Sequence, residues 1–344
     1  TTAPVTSVTL AEYELALESI TYHSTNENPT QNNPNASRTI SWQVTDANSD
    51  GAGAATSSGV TSTINITALS DTPVVTAGGT LSYTENETAA VIGNTITISD
   101  ADDTQLDSAK VTISSGFTIG DVLTLTTQNG ISGTFDSSTG VLTISGTAIL
   151  SNYQTALRSI TFHSTSEDPT TNNTNNSREI TWEVTDANSD GSGAATSTAD
   201  AKSTIEIISS SDAPIVTTSG SSASYIENGT SAVIDNSITI SDADDTQLDS
   251  AKVIISSGFT AGDTLILTDP GTLSSSFISD SVLSITGTAD LSDYETALQS
   301  ITYHTSSEDP TLYSSTRTIT WIVTDSDSDG SGAATSTADA KSTI

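Results

Sequence analysis

A unit of about 140 residues recurs along this chain. Trp42, Trp182 and Trp321 lie 140 and 139 residues apart, in the frames RTISWQVTDANSDG, REITWEVTDANSDG and RTITWIVTDSDSDG. A second block precedes each tryptophan, as LAEYELALESITYH, LSNYQTALRSITFH and LSDYETALQSITYH. The first half of the unit occurs twice, as YTENETAAVIGNTITISDADDTQLDSAKV and YIENGTSAVIDNSITISDADDTQLDSAKV. Because this period is too long for a propeller blade or a solenoid coil, it predicts separate domains in series.

The repeat predicts three segments. Residues 1–70 form the C-terminal half of a repeat, and residues 71–211 and 212–344 each form a full repeat. The joints fall at Asp71–Pro73 and Asp212–Pro214, because proline interrupts strand pairing and stiffens a short linker. The chain has no Met, even at position 1, which indicates a processed product or a segment of something longer.

Two-residue alternation predicts strands throughout the unit. Ile180, Trp182 and Val184 are separated by Thr181 and Glu183, a pattern that a disordered chain has no reason to keep. Ser and Thr make up about a third of the residues, which suits exposed β-structure. Many short strands spaced by about ten residues predict an all-β chain of tandem antiparallel β-sandwich domains. One short helical turn is expected at residues 151–158.

The charge balance excludes several classes of function. Lys and Arg number 8 against 42 Asp and Glu, for a net charge of −34. Nucleic acids and anionic membranes would be repelled by such a surface. No apolar run approaches the roughly 20 residues that span a bilayer, so no membrane insertion is expected. With no Cys, the chain has no disulfide, thiolate metal site or cysteine nucleophile.

An Asp-x-Asn/Asp-x-Asp-Gly motif follows each tryptophan. Side-chain oxygens at positions 1, 3 and 5 with glycine at position 6 resemble the opening of a calcium loop. Serine stands where the twelfth-position acid of an EF-hand is expected, so this is not an EF-hand. The alternative is a metal-free hairpin turn. The candidate ligands are Asp46, Asn48 and Asp50; Asp186, Asn188 and Asp190; and Asp325, Asp327 and Asp329.

A second acidic cluster, SDADD, lies in the first half of each full repeat. Three carboxylates within four residues repel one another, and 8 basic residues cannot offset 42 acids. A hard divalent cation would relieve the repulsion. The alternative is a solvating acidic surface, as in proteins from salty water. The cluster comprises Asp100, Asp102 and Asp103, repeated as Asp242, Asp244 and Asp245.

Several phrases carry a resemblance that covers essentially the whole chain. YTENETAAVI, ITISDADDTQLDSAKVTIS, GTFDSSTGVLTISGTA, LSNYQTALRSITFH and REITWEVTDANSDG resemble the tandem cadherin-like repeats of giant bacterial surface proteins, the long RTX-type adhesins and related matrix proteins. The resemblance implies cadherin-like or immunoglobulin-like sandwiches at the bacterial cell surface, often exported by type I secretion and commonly bound to calcium.

The resemblance also implies a set of calcium ligands at each joint. In cadherin-like domains an early Glu, an Asp-x-Asp pair and a linker acid gather there. The linker Ser-Asp-x-Pro is shorter than in animal cadherins, and we find no counterpart of their acidic motif near mid-domain, so we expect one or two ions per joint. The matching positions are Glu85 and Glu227, Asp100 with Asp102, Asp242 with Asp244, and the linker acids Asp71 and Asp212.

Histidine and tryptophan do not indicate catalysis. His23, His163 and His304 occupy one repeat position, and a single imidazole per unit cannot make a multi-histidine zinc site. No GxSxG motif accompanies them. The tryptophans are predicted to anchor the sandwich core.

The polar segment after each histidine differs most between copies. It is predicted to be a loop at a tip of the sandwich, where binding often resides. Glycosylation is a further possibility at the Asn-x-Ser/Thr sequons, which stand at Asn35, Asn65, Asn86, Asn172, Asn175 and Asn228.

Together these features predict a non-enzymatic extracellular module, an extender or adhesive segment stiffened by calcium. Its partners would be neighbouring repeats, together with cell-surface or matrix ligands. The alternative is a self-assembling filament, in which strands of a neighbouring chain complete the half-repeat at residues 1–70 and cover its open sheet edges. An aromatic content of 5% is poor for a sugar cleft, which argues against a polysaccharide hydrolase.

Overall fold

The computed structural model describes residues 8–33, 35–328 and 330–344. Within these residues each copy of the repeat holds one short helix, and strands make up the rest of the regular structure. The helices are α1 (Leu10–Glu18), α2 (Leu150–Arg158) and α3 (Leu291–Gln299). The predicted helical turn at residues 151–158 is therefore confirmed. No helix in the described ranges is long and apolar enough to cross a membrane.

The strands of residues 8–211 are β1 (Ser37–Trp42), β2 (Val60–Asn65), β3 (Val74–Thr76), β4 (Thr80–Thr84), β5 (Ala90–Val91), β6 (Thr97–Ser99), β7 (Gln105–Ser115), β8 (Asp121–Thr124), β9 (Ser132–Asp136), β10 (Val141–Ile149), β11 (Thr161–Ser164), β12 (Ser177–Asp186) and β13 (Ala201–Ile208). Those of residues 212–344 are β14 (Ile215–Thr217), β15 (Ala232–Val233), β16 (Thr239–Ser241), β17 (Gln247–Ser257), β18 (Asp263–Leu267), β19 (Ser274–Ser279), β20 (Val282–Asp290), β21 (Ile301–Thr305), β22 (Thr318–Asp325) and β23 (Lys341–Thr343).

The two full repeats share one sheet plan. Residues 71–211 form a six-stranded sheet in the order β4-β13-β12-β7-β10-β9, a three-stranded sheet β5-β11-β8 and the pair β3-β6. Residues 212–344 have the corresponding sheets β19-β20-β17-β22-β23, β15-β21-β18 and β14-β16, in which an isolated bridge from Ser222 to Thr343 stands in place of the strand β4. The strand pairs are antiparallel, apart from β4 with β13 and a parallel bridge between Ser222 and Thr343. The predicted all-β fold of tandem sandwich domains is confirmed.

Each full repeat has its own hydrophobic core around its tryptophan. Trp182 and Trp321 are fully buried, which confirms the predicted role as core anchors for these two, whereas Trp42 of the first copy is only half-buried. Each indole N–H donates to a serine hydroxyl of the last strand, Trp182 to Ser203 at 3.1 Å and Trp321 to Ser342 at 3.0 Å. The two cores are separate clusters, spanning residues 83–207 and 234–323. The boundaries at 71 and 212 stay a prediction.

The helix packs into the core through its tyrosine. The hydroxyl of Tyr153 donates to the carbonyl of Gly146 at 2.8 Å, and Tyr294 does the same to Gly287. Gly146 has a φ of +126°, and a Cβ there would lie 2.2 Å from the carbonyl oxygen of Gly130. Glycine is therefore required at this bulge of β10.

A buried ion pair fixes the loop that follows the histidine. Arg178 contacts Asp121 at 2.6 Å, with both side chains fully buried. Its guanidinium also donates to the carbonyls of Pro169 at 2.6 Å and Asn175 at 2.8 Å. These bonds attach both ends of the segment 169–175 to the core.

In the first copy, the described residues 8–33 and 35–69 hold no buried core of this kind. Its helix α1 buries none of its side chains, and Leu10, Tyr13 and Leu15 are exposed. Tyr153 and Leu157 of the second copy are fully buried at the positions that correspond to Tyr13 and Leu17. The hairpin of β1 and β2 keeps the strand pairing of β12 and β13.

Candidate metal centres at the joints between repeats

The SDADD segment folds into a tight turn between β6 and β7. Oδ1 of Asp100 accepts the backbone N–H groups of Asp102 at 3.1 Å and Asp103 at 2.8 Å. Asp242 makes the same two bonds in the next repeat. Such local bonds are typical of Asp in turns. The turn draws together three carboxylates, with one oxygen of each within 4.8 Å of the others.

The remaining oxygens of this cluster are buried without a hydrogen-bond partner. They are Oδ2 of Asp100, Oδ1 of Asp102 and Oδ2 of Asp103. Asp102 is 4% exposed and Asp103 is 3% exposed. Buried carboxylate oxygens without donors are costly unless a cation satisfies them. The donor set is all oxygen, which is what calcium prefers, so these residues fit a bound cation.

The second copy of the cluster has the same character. Oδ2 of Asp242 and Oδ2 of Asp245 are buried without a partner. Asp245 is 3% exposed. The residue type, the turn and the unsatisfied oxygens therefore recur at both joints.

The ionisation of nearby acids reflects this crowding. Burial raises the pKa of Asp100 to about 6, and the charge of Asp102 acts in the same direction. Burial also raises the pKa of Asp186, with further contributions from the charges of Asp103 and Asp102. Asp325 has a raised pKa for the same reasons, beside Asp245 and Asp242. These sites favour a compensating positive charge.

The linker acid of each joint is attached to the cluster. The backbone N–H of Asp71 donates to Oδ2 of Asp102 at 2.9 Å, and that of Asp212 donates to Oδ2 of Asp244 at 2.9 Å. The structure thus brings each linker acid to the Asp-x-Asp pair of the repeat that follows.

A second acidic group lies on the other side of the joint near residue 212. It consists of Glu85, Glu167 and Asp212, with one oxygen of each within 4.8 Å of the others. Glu85 is 3% exposed; its Oε2 accepts the N–H of Ser210 at 3.0 Å, and its Oε1 is buried without a partner. Burial raises the pKa of Glu85 to about 7, and the charges of Asp212, Asp168 and Glu167 add to the shift.

Glu167 is a candidate ligand that the sequence analysis did not identify. It belongs to the SEDP segment just after His163, and the other copies hold Glu27 and Glu308 at the same position, each two residues before a proline. This recurring acid in an otherwise variable loop was the available signal. An open cleft between the repeats is lined by Glu167, Asp212 and Asp242.

The side chains of the Asp-x-Asn-x-Asp loops, unlike those of the joint clusters, bond mainly to the backbone of their own loop. Asp186 accepts the N–H groups of Asn188 at 3.0 Å and Ala195 at 2.7 Å, while Asn188 accepts that of Gly193 at 2.7 Å. Asp190 accepts the N–H of Ser192 at 2.9 Å. These are the bonds of the metal-free turn alternative.

The other two loops have the same local pattern where the structure describes them. The bonds to the loop backbone are made by Asp46, Asn48 and Asp50 in the first copy, and by Asp325 and Asp327 in the third. Asp329 lies outside the described residues. The acidic groups found in the described ranges include none of the loop acids.

Glu227 is the remaining predicted ligand. It is exposed, and it belongs to none of the acidic groups found among the described residues. Glu85, at the corresponding position of the preceding repeat, is buried against the linker that leads to the next repeat.

Basic side chains do not neutralise the joints. The ion pairs found in the described part of the chain join Lys110 to Glu183, Arg178 to Asp121, Lys202 to Glu179, and Arg317 to Asp263. None of these acids belongs to a joint cluster.

Comparison with known proteins gives limited matches. No protein-family model matches the chain. A segment of 108 residues is 33% identical to halomucin of Haloquadratum walsbyi (strain DSM 16790 / HBSQ001). That match covers 30% of this chain and 1% of halomucin.

The chain is also similar to solved protocadherin structures. Extracellular cadherin domains 1–5 of protocadherin gamma B2 align over 91% of this chain and 45% of that one, with 13% identity and a TM-score of 0.33. Domains EC1–3 of mouse protocadherin-24 align over 91% and 79%, with 14% identity and a TM-score of 0.28. The chain spans about half the length of the first protocadherin structures it matches, at 56%, 57% and 54%. Since these TM-scores are low, the architecture stands on the strand pairing described above.

Proposed function

We propose that this chain is a non-enzymatic extracellular structural or adhesive module, an extender segment of a large bacterial surface protein. In this proposal calcium binds at the joints and stiffens the array of sandwiches. One observation carries it: buried carboxylate oxygens without donors gather where one repeat, its linker and the next repeat meet.

The joint near residue 212 shows most clearly how acids from two repeats and their linker come together. Glu85 and Glu167 come from one repeat, Asp212 from the linker, and Asp242 and Asp245 from the next repeat. The residues that would hold calcium are these five with Asp244, and at the preceding joint Asp71, Asp100, Asp102 and Asp103. A cation held from both sides restricts bending, because bending would separate its ligands.

The burial of these acids argues against a purely solvating surface. Acids that keep a protein soluble face water, whereas Glu85, Asp103 and Asp245 are each 3% exposed. Clustered negative charges at such burial favour a bound cation.

Thermal unfolding of the whole chain tests the proposal. We compare millimolar calcium with excess chelator at fixed ionic strength. A ligand at about 100 times its Kd adds about 2.7 kcal/mol, which corresponds to a rise of several degrees in Tm. Small-angle scattering of the same samples should show a longer maximum dimension with calcium.

The double variant Asp102→Asn/Asp244→Asn should lose most of the calcium-dependent rise. The matched control is Asp200→Asn/Asp280→Asn, which removes the same charge from exposed positions. An equal rise in both double variants, or no rise in the unsubstituted protein, would refute calcium binding at the joints.

The filament alternative has one observation in its favour. Leu10 and Tyr13 expose apolar surface, whereas the corresponding Leu150 and Tyr153 of the second copy pack in its core. A segment with the sequence of the first half of a repeat would cover them, in the same chain or in a neighbouring one. Sedimentation across a hundredfold concentration range tests it: growth into long assemblies supports the filament, and a constant monomer supports the extender.

A further inference from the structure

We propose that the loop after the repeat histidine is a latch between neighbouring repeats, with Asn172 as its donor. The side-chain amide of Asn172 donates to the backbone carbonyl of Asp244, in the next repeat, at 2.5 Å. The latch is a direct protein contact, so it does not rest on calcium binding, although it meets the same joint.

The same contact occurs at both joints. Asn32, 140 residues before Asn172, donates its side-chain amide to the carbonyl of Asp102. Asn28 also reaches that carbonyl, at 3.4 Å. In each case the acceptor is the second Asp of the Asp-x-Asp pair. The bond therefore holds the peptide unit that carries the candidate ligands.

The loop backbone aims the amide at its target. Thr171, Asn172 and Asn173 have φ values of +54°, +51° and +59°, a left-handed conformation in which Asn is enriched. The carboxylate of Asp168 accepts the backbone N–H of Asn172 at 3.0 Å. With the loop backbone set in this way, its side chain points outward to the next repeat.

The base of the loop is fixed to the core independently of Asn172. Arg178 donates to the carbonyls of Pro169 and Asn175, and is itself paired with Asp121. The latch residue thus stands on a rigid arm, so little ordering is needed when the two repeats meet.

The third copy shows that the arm forms without the amide. Its loop is two residues shorter and places Leu312 and Tyr313 where Thr171 and Asn172 lie. These side chains are 61% and 79% exposed, while Arg317 still donates to the carbonyl of Pro310 at 2.7 Å. Asn172 is therefore a positioning residue for the joint rather than a requirement for the loop. The loop after the repeat histidine, which varies most between copies, therefore determines which side chains a repeat presents to the repeat that follows it.

Pulsed electron paramagnetic resonance in excess chelator tests the latch. The chain has no cysteine, so Thr127→Cys and Thr272→Cys introduce one spin label on each full repeat, at exposed positions. Asn172→Gly removes the amide without straining the left-handed backbone. The matched control is Asn228→Gly, because Asn228 has the same left-handed backbone conformation, with a φ of +56°, and is exposed in the third copy.

We expect Asn172→Gly to broaden the distance distribution between the labels and Asn228→Gly to leave it unchanged. Asn172→Asp, which keeps a residue tolerant of this conformation but replaces the donor by an acceptor, should broaden it further. Calcium affinity, if calcium binds, should fall roughly two- to ten-fold in Asn172→Gly, the usual effect of one hydrogen bond.

Equal widths for Asn172→Gly and the unsubstituted chain would overturn the latch. The result is separable from the calcium proposal, since the distances are measured without the ion. A broadened distribution in Asn172→Gly with no calcium-dependent rise in Tm would support the latch and refute the calcium site. An unchanged distribution together with a calcium-dependent rise in Tm would refute the latch and support the calcium site.

Discussion

The backbone N–H of Ser189 donates to Oδ1 of Asp103 at 2.5 Å, across 86 residues of sequence. The Ser189 hydroxyl donates to the same oxygen. Ser328 and Asp245 repeat the arrangement in the next repeat, also at 2.5 Å. The Asp-x-Asn-x-Asp loop therefore packs against the SDADD turn, and two motifs that are separate in sequence are in direct contact.

This relationship gives the charge of Asp103 two opposite effects. Neutral donors hold Oδ1, while Oδ2 is buried beside Asp100 and Asp102 without a donor. In chelator, Asp103→Asn should raise Tm by a few degrees, because it relieves repulsion among three acids. In calcium it should lower Tm, because a ligand charge is lost. Differential scanning calorimetry in both buffers measures the reversal.

Asp200→Asn is the control for this prediction. It removes one charge from an exposed position in the same repeat, so its effect should be small and equal in the two buffers. If Asp103→Asn shifts Tm equally with and without calcium, the cluster does not bind the ion.

Much of the joint followed from sequence because it depends on repeated local patterns. The tryptophan spacing and strand alternation predicted the fold, and the cluster at Asp100 is held by bonds within four residues. The resemblance implied that Asp71 and Asp102 gather as calcium ligands. The backbone N–H of Asp71 bonds Asp102, and calcium binding by the two side chains stays a prediction.

The features of the joint that the sequence analysis did not predict depend on contacts between distant segments of the chain. Glu167 lies near Glu85 although the two are far apart in sequence, and no local pattern reports that approach. Arg178 holds the carbonyl of Pro169, two residues after Glu167, by a contact that is equally distant in the sequence pattern. The Asp-x-Asn-x-Asp loops show the opposite difficulty: a hairpin and a calcium loop both favour oxygen side chains at alternate positions. Since the backbone N–H groups of the loop bond these oxygens, calcium at the loops stays a prediction.

A pH dependence should distinguish Glu85 from the general acidity of the chain. Its pKa is raised to about 7 in the folded protein from an ordinary value of 4.5. The folded state therefore binds the proton more tightly, and this contribution to stability is present below about pH 4.5 and lost as pH rises through 7. In chelator, Tm should fall over that window, and Glu85→Gln should reduce the slope.

The control for Glu85 is Glu227→Gln. It changes the net charge equally at the corresponding but exposed position of the third copy. Because repulsion among the many acids also grows with pH, only the difference between the two variants reports on the buried site. Identical slopes in thermal scans from pH 4.5 to 8 would contradict the assignment.

The buried ion pair predicts a large and local effect. Arg178→Met leaves Asp121 buried without its partner, at a cost of about 3–5 kcal/mol. Lys110→Met, which breaks the half-exposed pair with Glu183, should cost less than about 1 kcal/mol. Hydrogen exchange by mass spectrometry should show faster exchange in residues 71–211 and unchanged exchange in residues 212–344 outside the turn at residues 242–245, which the loop held by Arg178 contacts. Equal costs for the two variants would mean that the pair is not buried.

The buried carboxylate of Asp235 stabilises the third copy by bonds that the second copy lacks. It is buried where the preceding repeat has Gly93, and its Oδ2 accepts the N–H of Ser219 at 2.9 Å and the hydroxyl of Ser342 at 3.2 Å. Ser342 in turn accepts the indole N–H of Trp321. The carboxylate therefore joins the first strand region, the last strand and the core tryptophan.

Asp235→Asn should destabilise the third copy by about 1–3 kcal/mol at pH 7, the range for a hydrogen-bonded charge. Although burial acts the other way, hydrogen bonds from Ser219 and Ser237 lower the pKa of Asp235 below its ordinary 3.8. The contribution is therefore present above about pH 4 and is lost as pH falls through the folded pKa.

Hydrogen exchange of residues 212–344 in Asp235→Asn should show a difference from the unsubstituted chain that shrinks toward pH 3. Asp280→Asn, at an exposed position of the same repeat, should show none at either pH. A difference that persists undiminished at pH 3 would mean that the shape of the side chain, rather than its charge, supports this part of the repeat.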